Sequence, residues 1–97
     1  MKPNDLRIGT RYRLALLWLM DRLGAARIGD ALAAFEDEFG LLIPAEHHKI
    51  NASGAEVWDW HVRHARQDLL RAGLMDGSRQ GIWAISPAGR EWLRAHP

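Results

Sequence analysis

The chain has 97 residues, 47% of them hydrophobic, and a formal net charge of +1. This length suits one small globular domain with a single core and leaves no room for a second domain. With no cysteine and no apolar run longer than residues 14–20, the sequence excludes a disulfide framework, a thiolate metal site and a membrane span, and it predicts a soluble, cytoplasmic protein.

The first half of the chain predicts an arm, two helices and a short strand. Residues 1–9 are polar and are expected to form a flexible N-terminal arm, and the folded domain is expected over 10–97. Thr10 is a predicted cap for a helix that ends at Gly24. A small strand is predicted at 25–28. A second helix is predicted from Gly29 to Phe39 and closed by Gly40, with an inward stripe of Ala31, Leu32, Phe35 and Phe39.

Residues 41–52 form an unusually long connection between two predicted helices. Pro44 is placed to start a single helical turn within it. Insertions of this kind often carry function. Lys49 and Asn51 stand immediately before the next helix, where we expect them to meet DNA phosphates.

The stretch from Ser53 to Gly73 predicts the longest helix. Ser53 and Glu56 have the spacing of a capping box, which places the helix start at Gly54, and Gly73 supplies the left-handed residue that ends it. Helical spacing predicts a core-facing stripe of Trp58, Val62, Ala65, Leu69 and Ala72.

The opposite face of this helix is predicted to bind DNA. Arg and Gln side chains can each form two hydrogen bonds with a base edge in the major groove. The alternative is a solvated helix face that happens to be basic. The predicted face consists of Trp60, Arg63, His64, Gln67 and Arg71.

After this helix the sequence predicts a β-hairpin and a closing helix. Leu74 and Met75 begin a strand, 76–81 has turn chemistry, and 82–85 is a second strand. Ser86 and Pro87 then cap and start another helix. A recognition-type helix followed by a hairpin with Arg79 near its tip is the order of a winged helix-turn-helix, a mainly α fold with a small β wing.

The second half of the chain resembles the N-terminal domain of Mrr-type restriction endonucleases. The resemblance is dense over 60–97 and is carried by Ala65-Arg66, Leu69, Arg71-Ala72-Gly73-Leu74, Arg79, Trp92 and the run from Gly81 to Gly89. It implies a winged-helix DNA-binding module, usually followed by a separate nuclease domain, in enzymes that cut modified DNA. Many members have Trp where this chain has His64, whereas this chain has Trp60 one turn earlier.

No catalytic or metal-binding pattern is found in the sequence. His47, His48, His61 and His64 are not accompanied by carboxylates or thiolates at a recognised ligand spacing. The resemblance implies a nuclease that needs clustered acids and a Lys on a central strand, and this chain has neither. We therefore expect a non-catalytic chain with no metal and no cofactor.

Trp60 differs from the other tryptophans. Trp18, Trp58, Trp83 and Trp92 lie at core-compatible positions, whereas Trp60 points away from the core stripe. Near the start of a recognition helix, its indole is placed to pack against a base methyl group. The alternative is packing of Trp60 against the connection 41–52.

The sequence therefore predicts double-stranded DNA as the partner, and the resemblance implies that this DNA can be methylated and that a nuclease domain follows in cis. The resemblance implies N6-methyladenine or 5-methylcytosine as the modified base. The small net charge predicts few phosphate contacts and modest affinity. Two alternatives remain open: a free-standing transcription regulator of the same fold, and a winged-helix module used only for protein–protein contact through Trp60 and the acidic residues 36–38.

Overall fold

The computed structural model describes residues 2–6 and 11–96, and within them it has the predicted winged helix-turn-helix architecture, with longest dimensions of 34 × 29 × 21 Å. These residues form four α-helices, three β-strands and two short 3-10 turns. In chain order they are α1 (Arg11–Leu23), β1 (Ala25–Arg27), α2 (Ile28–Phe39), the 3-10 turns Gly40–Leu42 and Ala45–His48, α3 (Val57–Arg71), β2 (Met75–Asp76), β3 (Ile82–Ile85) and α4 (Pro87–Ala95).

The three strands form one antiparallel sheet in the order β1-β3-β2. Ala26 of β1 lies opposite Trp83, and Met75 of β2 lies opposite Ile85. The strand predicted between the first two helices is therefore confirmed, and it pairs with the wing. This pairing ties the connection between α1 and α2 to the hairpin that follows α3.

The core is built around α1, which packs on α3 and also contacts α2 and α4. Tyr12 of α1 stacks on Phe35 of α2 with ring centroids 6.0 Å apart, and Phe35 stacks on Trp58 of α3 at the same distance. These rings fix the three helices relative to one another and so orient the outer face of α3. The predicted inward stripe of α2 is confirmed as buried: Ala31, Leu32, Phe35 and Phe39.

The described part of the predicted arm, residues 2–6, packs against the core. Leu6 has 0% of its surface exposed, and Pro3 is also buried. Lys2 forms an ion pair with Glu38 of α2 and lies over the Trp18 ring at 5.2 Å. Burial of two apolar residues and an ion pair together offset the entropy of ordering this segment. Thr10, the predicted cap of α1, lies outside the described residues.

The capping box predicted for α3 is wrong. The helix begins at Val57 with Glu56 as its cap residue, and Gly54 lies in the preceding turn at φ +86°. Asn51 displaces Ser53 from the capping role, because its Oδ1 accepts hydrogen bonds from the Ser53 amide (3.0 Å), the Ser53 hydroxyl (2.6 Å) and the Ala55 amide (3.2 Å). The Glu56 carboxylate instead accepts from the indole Nε1 of Trp58 at 2.7 Å.

The predicted end of α3 is confirmed, although one core residue was wrongly assigned. Gly73 has φ +77°, and the amides of Gly73 and Leu74 donate to the carbonyls of Leu70 and Leu69, the pattern of a Schellman motif. Ala72 is exposed rather than in the core, because it lies in this helix-terminating turn, beyond the last helical residue.

The predicted ends of the first two helices differ in outcome. Gly24 has φ +74° and ends α1 as expected. Gly40 does not close α2 in the left-handed conformation, because its φ is −54° and the chain continues into the 3-10 turn Gly40–Leu42.

The helix start predicted at Ser86 and Pro87 is confirmed and is tied to the end of α3. The Ser86 hydroxyl accepts from the Gly89 amide at 3.0 Å and donates to the Gly73 carbonyl at 2.7 Å. A Cβ atom at Gly89 would lie 2.1 Å from the Leu74 carbonyl oxygen, so only glycine allows α4 to approach this backbone so closely. Among the described residues, no helix has the length and apolar character required to cross a membrane.

Candidate nucleic-acid interface

The five residues of the predicted face all lie on the exposed side of α3. The structure confirms the helical phase, since Trp58, Val62, Ala65 and Leu69 are buried on the other side. Every residue of the predicted face is exposed: Trp60, Arg63, His64, Gln67 and Arg71. The arrangement places hydrogen-bond donors and one large aromatic ring on a surface that is free to contact a partner.

Trp60 is paired with His64 on this surface. Their rings stack with centroids 3.6 Å apart and planes 26° apart, and Nδ1 of His64 lies 3.0 Å from the Trp60 carbonyl oxygen. Trp60 is 47% exposed, so its indole is accessible where His64 does not cover it. The Trp60 ring thus lies against the His64 ring, and the two side chains form one aromatic surface.

A cluster of rings supports this pair from behind. His61 lies 5.1 Å from Trp60 in a nearly perpendicular orientation, 5.0 Å from Tyr12 and 4.6 Å from His47. The Tyr12 hydroxyl lies 2.9 Å from Nδ1 of His47. His47 belongs to the 3-10 turn Ala45–His48, so the long connection is held against α1 and α3. His61 therefore links Trp60 to this connection, because its ring lies beside both Trp60 and His47.

Burial changes the titration of two members of this cluster. It raises the pKa of Tyr12 to about 12, so the phenol is protonated at neutral pH and can donate to His47. Burial, together with the nearby His47 and His64 side chains, lowers the pKa of His61. His61 is therefore favoured in its neutral form between Tyr12 and Trp60.

A groove of about 500 Å³ runs between α3 and the base of the wing. It contains four residues of the predicted face, but Trp60 is not among the residues that line it. Arg66, which the DNA-binding prediction omitted, does line it, with its Cζ 5.8 Å from the centroid of the Trp83 ring. The lining residues are Ile28, Arg63, His64, Arg66, Gln67, Asp68, Arg71 and Trp83.

Two arginines of the groove have carboxylate partners on the same helix. Arg63 Nε lies 2.5 Å from Oδ1 of Asp59, and Arg71 lies 3.5 Å from Oδ1 of Asp68. Asp68 also lies 3.9 Å from Arg13 of α1. The two pairs of Asp68 are exposed, so each contributes little to stability and is easily exchanged for another anion, whereas Asp59 is partly buried.

Arg79 lies in the exposed turn of the wing, as predicted. The neighbouring Asp76 accepts a hydrogen bond from the Ser78 amide at 2.9 Å. This bond, a side-chain bond from Ser78 and the charge of Arg79 lower the pKa of Asp76. The carboxylate thereby organises the turn that presents Arg79.

Lys49 and Asn51 lie in the turn before α3, apart from the groove. Lys49 is exposed, and its carbonyl accepts from the Val57 amide at 3.0 Å. The side-chain oxygen of Asn51 is committed to the three donors of Ser53 and Ala55. Asn51 therefore shapes the turn that carries Lys49 into α3, a role that the sequence reasoning missed.

The histidines do not form part of a recognisable metal centre. In the part of the chain that the structure describes, no group of three or more His, Cys, Asp and Glu side chains is arranged to hold a metal ion. His48 is instead paired with the Glu56 carboxylate at 3.2 Å.

Comparison with known proteins agrees with the resemblance found in the sequence. The chain is 32% identical over 82 residues to the type IV methyl-directed restriction enzyme EcoKMrr of Escherichia coli (strain K12). This match covers 84% of the chain and 27% of the enzyme. No solved structure matches the chain. The family model of the Mrr N-terminal domain matches residues 10–95. The chain therefore belongs to the Mrr N-terminal domain family.

Proposed function

We propose that this chain binds duplex DNA through the outer face of α3 and serves as the modification-sensing domain of a restriction system. The observation that carries the proposal is the single exposed face of α3, on which five residues with base-contacting chemistry lie beside a wing that presents Arg79. The family relationship supports the same function, since the E. coli relative is a methyl-directed restriction enzyme.

In this proposal α3 enters the major groove, and its residues divide between bases and backbone. Arg63 has two donors, and Gln67 has a donor and an acceptor, for two-bond contacts with base edges, and His64 lies between them on the same face. Arg71, near the end of the helix, contacts a base or the adjacent phosphate. Arg79 on the wing contacts the backbone or the minor groove.

Lys49 supplies a further phosphate contact at the other end of α3. Its exposed side chain precedes the helix in the same turn that Asn51 organises. Asn51 contributes to phosphate binding mainly by fixing this turn, because its side-chain oxygen already has three donors. Contacts on both sides of the helix would set its position along the duplex.

Trp60 is the proposed recognition element for a methyl group. His64 covers part of the indole, and the accessible part offers an apolar surface beside the donors of the same face. Packing of a base methyl on this surface would stabilise the methylated complex by ~1 kcal/mol through burial of apolar area. N6-methyladenine and 5-methylcytosine both carry such a methyl.

The experiment is a titration of fluorescently labelled duplex with the protein over a range of salt concentrations. We expect binding at low salt that weakens as salt rises, with a slope that corresponds to a few phosphates at ~0.9 each. The small net charge of +1 limits this number. Absence of binding at low salt, or binding that does not respond to salt, would overturn the proposal in favour of a protein-interaction module.

We also propose that the chain contributes no nuclease chemistry of its own and that cleavage belongs to another domain of a longer protein. Its match spans 27% of the E. coli enzyme, and the family is that enzyme's N-terminal domain. Incubation of the chain with methylated plasmid and Mg²⁺ should leave the plasmid supercoiled. Nicking that follows the protein through purification and survives substitution of surface residues would contradict this assignment.

A further inference from the structure

Arg66 lines the groove between α3 and the wing, and the DNA-binding prediction did not include this residue. We propose that Arg66 is a phosphate-binding residue: its guanidinium, held against Trp83, takes one backbone phosphate of the duplex. This inference rests on the proposed function, because it assumes that α3 docks on DNA.

The surroundings of Arg66 restrict its side chain. Trp83 is buried in the central strand β3, and its ring lies 5.8 Å from Cζ of Arg66. On the wing side, a guanidinium nitrogen lies 4.0 Å from the place that a Cβ at Gly77 would occupy. A planar guanidinium beside a fixed aromatic ring loses little further freedom when it binds a planar or tetrahedral oxyanion.

The charge of Arg66 is not compensated within the described residues. Arg13, Arg63 and Arg71 all have a carboxylate within 4.0 Å, whereas Arg66 forms no ion pair in the described part of the chain. Its Nε atom is buried and has no hydrogen-bond partner there. An uncompensated charge of this kind is unfavourable, and an anion bound at the terminal Nη1 and Nη2 groups would compensate it.

The part of the groove around Arg66 and Trp83 is suited to a phosphate. Arg63, Gln67 and Arg71 add donors along one wall, while the only carboxylate of the lining, Asp68, is already paired with Arg13 and Arg71. Ile28 of α2 and Trp83 of β3 complete the lining, so the groove lies between α3 and these two elements. In helix-turn-helix docking, the flanks of the recognition helix meet the sugar–phosphate backbone.

The first test compares Arg66→Ala, Arg66→Lys and Arg22→Ala with the wild type by salt titration. Arg22 is the matched control, because it also lies over a tryptophan, 4.9 Å from the Trp18 ring, but away from the groove. Arg66→Ala should bind roughly tenfold more weakly, with a salt slope shallower by ~0.9, which is the loss of one phosphate. Arg66→Lys should keep the slope and lose part of the affinity, since the charge remains and the fork is lost.

The second test identifies the partner atom. Single phosphates of the duplex are replaced one at a time by neutral methylphosphonates. One replacement should weaken the wild type and leave Arg66→Ala unaffected, because the contact is already absent in that variant. If replacing a particular guanine weakens the wild type but not Arg66→Ala, and no phosphate replacement does so, Arg66 recognises a base and the inference is wrong.

The outcomes separate this inference from the proposed function. If the wild type binds duplex and a folded Arg66→Ala variant has the same affinity and the same salt slope, the inference is overturned and the proposed function stands. Failure of the wild type to bind any duplex would overturn both. Circular dichroism melting of each variant establishes folding, and Arg66→Gln, which keeps much of the aliphatic stem, replaces Arg66→Ala if the latter unfolds.

Discussion

The Tyr12 hydroxyl lies 2.9 Å from Nδ1 of His47 and thereby joins the first turn of α1 to the long connection before α3. His61 lies against both rings, so three parts of the chain meet at one cluster behind Trp60. The outer face of α3 thus depends on residues that do not themselves lie on that face.

The first prediction concerns the acid sensitivity of this cluster. The pKa of His61 is lowered from 6.5 in the folded state, so the unfolded chain binds the proton more readily. The contribution of neutral His61 to the free energy of unfolding is therefore fully present above pH 6.5, and it is lost as the pH falls through the lower folded pKa. His61→Phe keeps a ring on Tyr12 without titrating and should flatten the dependence of melting temperature on pH below neutrality. An unchanged pH profile in this variant would show that other histidines are responsible.

The second prediction concerns Trp60. Trp60→Ala should remove most of the ~1 kcal/mol preference for methylated over unmethylated duplex and leave binding of the unmethylated duplex largely intact. The measurement is a pair of titrations on one duplex with and without the methyl group, for the wild type and the variant. Equal loss on both duplexes would mean that Trp60 is a structural residue, and methyl recognition would then be assigned to His64, Gln67 or the connection 41–52.

The third prediction concerns the wing. Arg79→Ala should weaken all duplexes by a similar factor and make the salt slope shallower by ~0.9, because a wing arginine meets backbone or minor groove rather than a distinctive base edge. Arg94→Ala is the control, since Arg94 is paired with Glu91 on α4 at 2.7 Å. A loss confined to one sequence would assign Arg79 to base recognition instead.

The fourth prediction concerns the core. Leu69 is 5% exposed at the centre of the buried stripe of α3, and Leu69→Ala should lower the free energy of unfolding by ~2 to 5 kcal/mol. Leu41→Ala is the matched control, because Leu41 is 103% exposed and the same truncation should cost little. Chemical denaturation measures both. A cost below ~1 kcal/mol at Leu69 would contradict its place in the core.

The fifth prediction pairs two glycines with opposite outcomes. Gly89→Ala should destabilise the fold by ~2 kcal/mol or more, because the added methyl meets the Leu74 carbonyl oxygen at 2.1 Å and the backbones must separate. Gly29→Ala adds the same group in α2 with nothing within 4 Å, and should be neutral or stabilise the fold by ~0.4 to 1 kcal/mol. Equal melting temperatures for the two variants would show that α4 can shift without cost.

The parts of the fold that depend on local signals could be predicted from the sequence. The phase of α3 follows from apolar spacing through Leu69, and its end follows from Gly73, because each signal acts within one or two turns. The predicted start of α3 was wrong because several local signals lie close together before this helix. Asn51, Ser53 and Glu56 all compete for the same few amides, and their spacing does not determine which side chain accepts.

The parts that depend on distant contacts could not be predicted in this way. Arg66 is a candidate for phosphate binding because the fold brings Trp83, from a strand beyond the next turn, beside it. The burial of Leu6 and the stacking of Tyr12 on His61 likewise join segments far apart in the chain. Residue type and spacing along one helix identify its exposed face, but they do not identify which neighbouring element converts that face into a groove.

Under the proposed function, the dimensions of the fold limit how much DNA one copy can cover. Its longest dimension is 34 Å, which is about one helical turn of duplex, and α3 of 15 residues carries its five outward side chains over less than that length. A single copy can therefore contact only a few successive base pairs in one stretch of major groove. Any target longer than a handful of base pairs needs a second domain or a second copy on the neighbouring turn, and the spacing between half-sites would then be a multiple of the helical repeat.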